Sequence, residues 1–97
     1  MNYKEYDIVT LVLLNGAEVI GRYKGKSEGT VTIYKPRMVS PQESATGVTI
    51  GFVPGISMTG EQPNGDFVFS TNSILYILKT NDQIASGWQK TTSGLVT

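Results

Sequence analysis

Cysteine and histidine are both absent from this 97-residue chain. The first absence excludes a disulfide framework and a thiolate metal site. The second removes the commonest general base and the commonest metal ligand. Chemistry would have to run on carboxylates, lysines, tyrosines or hydroxyls, and the sequence sets no nucleophile beside a base and no metal-ligand cluster. Gly25-Lys26-Ser27 ends like a phosphate-binding glycine loop, but the first glycine of that motif belongs at position 20, which is Ile20. The chain therefore reads as no enzyme, with no cofactor and no metal. Long apolar runs are missing too. None nears the roughly 20 residues that cross a bilayer, and Met1 to Asp7 lacks the apolar core of a signal peptide. The expectation is a cytoplasmic protein with no membrane partner.

Excess charge of one sign is also lacking. Eight basic and eight acidic residues cancel, so bulk charge does not attract nucleic acid. Their distribution is uneven. Arg22, Lys24, Lys26, Lys35 and Arg37 lie close together with only Glu28 against them, whereas Met38 to Leu78 holds Glu43, Glu61 and Asp66 and no base. A neutral chain with such a segment can present a local anion-binding surface. Ninety-seven residues make one domain with a modest core, for which self-association is a natural supplement.

What is present is strand pattern. Ile8 to Leu14 is rich in aliphatic and β-branched residues, apolar on both faces, and too short for a typical helix. Asn15-Gly16 follows, a hairpin signal that predicts a type I′ turn with φ > 0 at both residues. Ala17 to Lys24 alternates as the return strand, with Gly21 marking a bend, a bulge or a close backbone approach. Gly25 to Gly29 reads as a turn, and Thr30 to Lys35 as a third strand that Pro36 ends or restricts to an edge. Pro41 to Gly47 reads as an exposed loop. Val48 to Met58 is strand-like but broken by Gly51, Pro54 and Gly55, and Gly60 to Asp66 is a turn. Phe67 to Phe69 and Ile74 to Leu78 are short strands around the polar corner Ser70 to Ser73. The tail predicts a helix capped by Thr80 with Gln83 at the capping-box position, Ile84 and Trp88 on one face, and Gly94 as its stop.

The spacing Leu13, Gly16, Gly21, Tyr23 resembles the first motif of the Sm-like family (Sm, LSm and Hfq proteins). Phe69 to Ile77, a strand, a polar corner and an apolar last strand, resembles its second motif. The two stretches cover about a third of the chain. The resemblance implies an all-β fold, a small five-stranded and strongly bent Sm-like (SH3-like) barrel with a short C-terminal helix. Residues 1–97 then form a single domain, with 7–78 as barrel core and 79–97 as C-terminal helix and tail. It also implies a cyclic homo-oligomer, in which edge strands of neighbouring copies pair, and a nucleic-acid-binding role. The implied site residues are Lys24, Lys26 and Ser27 in one loop and Ser70, Thr71 and Asn72 in the other, meeting single-stranded RNA or DNA, with Tyr23 or Tyr34 as candidate base-stacking residues. This chain departs from the family pattern at the base-binding positions. Ser27 and Val31 stand where the family has Asp and Asn, and Ser70-Thr71 replaces its Arg-Gly. Base specificity is therefore not carried over. The whole chain is also similar to small uncharacterised proteins of T4-like phages, especially those of cyanobacteria, which would place it in the host cytoplasm. The alternative reading is a structural, assembly or adaptor module of a phage that binds no nucleic acid.

Overall fold

The first two strands, β1 (Ile8–Leu13) and β2 (Glu18–Ser27), form an antiparallel hairpin with Thr10 opposite Ile20 and Val9 opposite Gly21. The computed structural model describes residues 3–53, 60–61 and 64–93. The hairpin loop differs from the type I′ turn expected. Gly16 has φ +88°, but Asn15 has no positive φ, and Gly16 N–H donates to Leu13 O while Leu13 N–H donates to Ala17 O. The loop is thus three residues long and closed by a left-handed glycine. The Asn15 side chain accepts from Ala17 N–H at 3.0 Å, which is why asparagine serves there without leaving the ordinary region.

A two-residue turn, Glu28-Gly29, leads to β3 (Thr30–Ser44), the longest strand. Proline does not end it. Tyr34 pairs with Arg22 and Arg37 with Ile20, so β3 spends three steps where β2 spends two. Pro36 sits in that bulge, where no ladder N–H is required. Lys35 just before it takes φ +50°. Gly21 lies against the bulge, and a Cβ there would meet Ile33 Cγ2, Tyr34 O at 2.9 Å and Pro36 Cα at 3.3 Å. This is the close backbone approach its glycine signals. The expected loop at Pro41 to Gly47 is likewise absent. β3 continues to Ser44, turns through Ala45-Thr46 and returns as β4 (Gly47–Val53), with Pro41 opposite Ile50. Pattern alone misses this because the polar stretch is an exposed ribbon, whose outer residues need no alternation. The breaks expected at Pro54 and Gly55 lie outside the described residues, as does part of the Gly60 to Asp66 turn.

β5 (Asp66–Ser70) pairs with the first half of β3, a 3₁₀ turn covers Thr71–Ser73, and β6 (Ile74–Lys79) pairs with β1. The sheet is antiparallel and open, in the order β4-β3-β2-β1-β6 with β5 also on β3. Among the described residues that makes six strands, where the family resemblance implies five; β4 falls in the stretch from Val48 that the sequence reads as strand-like. The sheet coils on itself. A straight ten-residue strand like β2 would run about 30 Å. Yet the three-residue 3₁₀ turn binds beyond both its ends, Thr71 N–H to Gly29 O and Leu14 N–H to Ser73 O, each at 3.0 Å. The concave side holds the core of Val9, Leu11, Val19, Tyr23, Val31, Ile33 and Phe69, with Leu13, Ile74 and Ile77 packed against it.

The helix α1 (Asp82–Thr92) lies on the opposite side of the sheet. Its cap is Asn81, whose Oδ1 accepts from Ile84 N–H at 3.0 Å, and not Thr80. Thr80 is buried instead and shares a 2.8 Å hydroxyl hydrogen bond with Thr10. Ile84 and Trp88 do face the sheet, and Trp88 is 2% exposed, its Nε1–H donating to Lys35 O. Gly87 admits the Phe52 ring, since a Cβ would stand 3.2 Å from Phe52 Cε2. The helix ends at Thr92, and Gly94 lies outside the described residues. No helix among the described residues is long and apolar enough to cross a membrane.

Candidate nucleic-acid interface

Cross-strand register places the residues that the sequence singles out. Ser27 pairs with Thr30 and Thr30 with Ser70, so the two serines end one row across β2, β3 and β5. Lys26, Val31 and Phe69 form the next row. Thr71 and Asn72 follow directly in the 3₁₀ turn, which Thr71 fastens to Gly29. Five of the six residues therefore meet at one end of the sheet. Lys26, Ser27, Ser70 and Asn72 are exposed and Thr71 is half-buried. Lys26 and Thr71 also border a cavity of about 170 Å³ beside Ile74 and Tyr76.

The polar groups in this cluster are partly occupied. Ser70 Oγ accepts from Asn72 N–H at 3.2 Å, and Ser73 Oγ donates to Ser70 O at 2.7 Å. These bonds shape the turn and leave the Asn72 amide and the Ser27 hydroxyl outward. Both can offer donors and acceptors to a sugar or a base edge. No acid lines the cavity, but Glu28 is exposed in the adjoining turn.

Lys24 does not join them. It lies at the irregularity between Tyr23 and Gly25, with Nζ 3.9 Å from Asp66 Oδ1. Asp66 and Ser70 are four residues apart on β5, a separation of about 13 Å. Lys24 Nζ also stands 5.7 Å from the Tyr6 ring and 5.5 Å from the Tyr34 ring, within cation–π range.

The rest of the basic segment is similarly engaged. The Arg22 guanidinium lies 5.5 Å from the Trp88 ring and donates to Tyr6 O. Lys35 Nζ donates to Thr92 O at the helix C-terminus, at 2.8 Å, a favourable place for a cation. Arg37 is 5% exposed and donates to Pro36 O and Asn64 Oδ1, and burial pulls its pKa below the ordinary value. Of the five bases in the segment, Lys26 alone has no ion pair, hydrogen bond or ring contact among the described residues. The linear charge cluster is thus dispersed by folding. Regular alternation would keep Arg22, Lys24 and Lys26 on one face, and the register shift between Tyr23 and Gly25 is what parts Lys26 from the other two.

The two stacking candidates part in the same way. Tyr23 belongs to the core, edge-on to Tyr3 at 5.1 Å, and cannot stack on a base. Tyr34 is half-buried on the other face with the Lys24 and Lys35 ammonium groups near its ring. Tyr6, 58% exposed beside them, is a further aromatic that no motif in the sequence marks. Its one signal is its place before a strand whose hairpin partner is basic.

No protein-family model matches this sequence, and no curated protein matches it. Among the described residues there is no group of three acidic side chains placed to hold a metal ion. What the arrangement can do chemically is hydrogen-bond and pair with an anion through one unshielded lysine.

Proposed function

We propose that this chain is a non-enzymatic subunit of an Sm-like ring, a strongly bent small barrel whose copies pair edge to edge and bind single-stranded RNA or DNA. The observation that carries this reading is the pair of sheet edges at β5 and β6. Each has a strand neighbour on one side only among the described residues. They expose Phe67, Val68, Leu75, Tyr76 and Leu78, with Val68 at 57% and Tyr76 at 63%. Apolar strand edges left open invite another chain, and joining β5 of one copy to β6 of the next repeats around a circle until no edge remains. The 3₁₀ turn sits between the two strands, so Lys26, Ser27, Ser70, Thr71 and Asn72 would recur around the same circle. Repetition supplies the charge that a single neutral subunit lacks.

Light scattering and oligonucleotide binding test the two halves of the proposal separately. A closed oligomer is expected at micromolar concentration, and Val68→Lys at the β5 edge should reduce it to smaller species. Fluorescence anisotropy with single-stranded RNA and DNA should show binding that weakens steeply with salt. Lys26→Ala should lower the slope of log affinity against log salt by about 0.7 for each phosphate that is no longer neutralised. Lys24→Ala should change it little, because Asp66 already faces that ammonium. A monomer in solution overturns the ring.

A second reading has its own support. The end cluster holds one cation per chain, Lys26, with Glu28 beside it, which is little charge for gripping a phosphate backbone. A ring that forms but binds neither oligonucleotide at low salt would be a structural or assembly module, as of a phage particle, rather than a nucleic-acid carrier.

A further inference from the structure

β4 is a third exposed edge, and it is built unlike the other two. It stands at the end of the sheet, with β3 as its only strand neighbour among the described residues. Its seven residues, Gly-Val-Thr-Ile-Gly-Phe-Val, carry no charge and no proline, whereas β5 holds Asp66 and β6 holds Lys79. Natural edges are usually blunted by charge, proline or shortness, and β4 has none of these. Val48 is 64% exposed and Ile50 43%. The period of two places both on the face of Phe52, which packs against Gly87 of α1. Between that face and α1 lie two recesses of about 400 and 420 Å³ that share Ile50 and Ile84 as walls. A two-stranded ribbon with one apolar face so open is marginal in water by itself.

We infer that β4 pairs antiparallel with β4 of a second copy of this chain, about a two-fold axis at Ile50. The sequence suits its own copy. In that register Ile50 meets Ile50 and Val48 meets Phe52 on the face toward α1, while Thr49 meets Gly51 on the other. No like charges meet, because the strand has none. The recess of one copy continues into that of the other, which shelters Val48 and Ile50 of both. Such a contact is isologous and closes as a dimer, while pairing of β4 with any other strand would be heterologous and run on into chains. The inference uses neither β5 nor β6 and stands whether or not the ring forms. Where the ring does form, it joins two rings face to face.

Single cysteines test it cleanly, because the chain has none of its own. Ile50→Cys should give one disulfide-linked dimer on mild oxidation and nothing larger. Val48→Cys is the control. It is the more exposed position, but in the proposed register the two copies of residue 48 lie about 13 Å apart, beyond disulfide reach. Light scattering on Ile50→Lys should give half the wild-type mass with an unchanged circular dichroism spectrum. Val68→Lys, which attacks the ring, should leave the Ile50→Cys cross-link intact. Equal cross-linking at 48 and 50, a ladder of higher species, or a mass unchanged by Ile50→Lys would each overturn the inference.

Discussion

The residue scale shows where the fold has no slack. Gly21 faces the bulge around Pro36, and a methyl there presses on the backbone carbonyl of Tyr34 and on Ile33, a buried core residue. Gly21→Ala should cost about 1–3 kcal/mol, read as a lowered urea midpoint. Gly87→Ala makes the useful contrast. Its new Cβ meets only the edge of the Phe52 ring, at 3.2 Å, and alanine gains about 1 kcal/mol in helix propensity. That variant should lie within about 1 kcal/mol of wild type on the same measurement. Tyr23 adds a pH dependence. Burial, then the nearby Tyr3 and Glu5, raise its pKa above the ordinary value. The folded state then holds the phenolic proton more tightly than the unfolded chain does. Its stabilising contribution is complete below the unfolded value of about 10 and is lost as pH rises through the folded value. Unfolding midpoints taken from pH 8 to 11 should therefore fall at the alkaline end, and Tyr23→Phe should flatten that fall.

At the scale of elements, the helix start separates two neighbouring residues that the sequence makes look alike. Asn81→Ala removes the cap on Ile84 N–H and should cost about 1 kcal/mol. Thr80→Val removes no cap but strands the buried Thr10 hydroxyl, for about 1–3 kcal/mol. The double change Thr10→Val with Thr80→Val should recover much of that loss in chemical denaturation. The same contrast explains what the sequence can and cannot reveal. β1, β2, β5 and β6 are legible because short apolar or alternating runs are bounded by turns that carry Asn, Gly and Ser. The β3–β4 ribbon is not, since Pro41 and the polar residues around it sit in paired but exposed backbone. Thr80 passes for the cap because both it and Asn81 have capping side chains, and only the tertiary contact with Thr10 decides between them. In the candidate site, the meeting of the Lys26 turn with the Ser70 corner is legible as two polar breaks between strands. The diversion of Lys24 toward Asp66 depends on an irregular step at Gly25 that no local pattern announces.

For the whole molecule, the relevant quantity is how much of its stability is its own. Among the described residues the core cluster has seven buried members on one side of the sheet, and much of the other side is left to one helix of eleven residues. Three strand edges have a neighbour on one side only among the described residues, and large apolar side chains stand on all of them. A protein of this size that pairs those edges derives part of its stability from its neighbours, and mass action then makes unfolding depend on concentration. For a closed ring each tenfold rise in total protein adds up to about 1.4 kcal/mol per subunit. In a domain of about 100 residues that corresponds to a rise in Tm of about 5 °C or more. Calorimetry at three concentrations a decade apart should show that rise in the wild type. Val68→Lys should cut it to the share of the β4 dimer, about 0.7 kcal/mol per subunit per decade, and Val68→Lys with Ile50→Lys should leave a Tm independent of concentration and lower at every one. A wild-type Tm that does not move with concentration would mean that the single chain supports itself with its edges bare, and both the ring and the β4 contact would fall together.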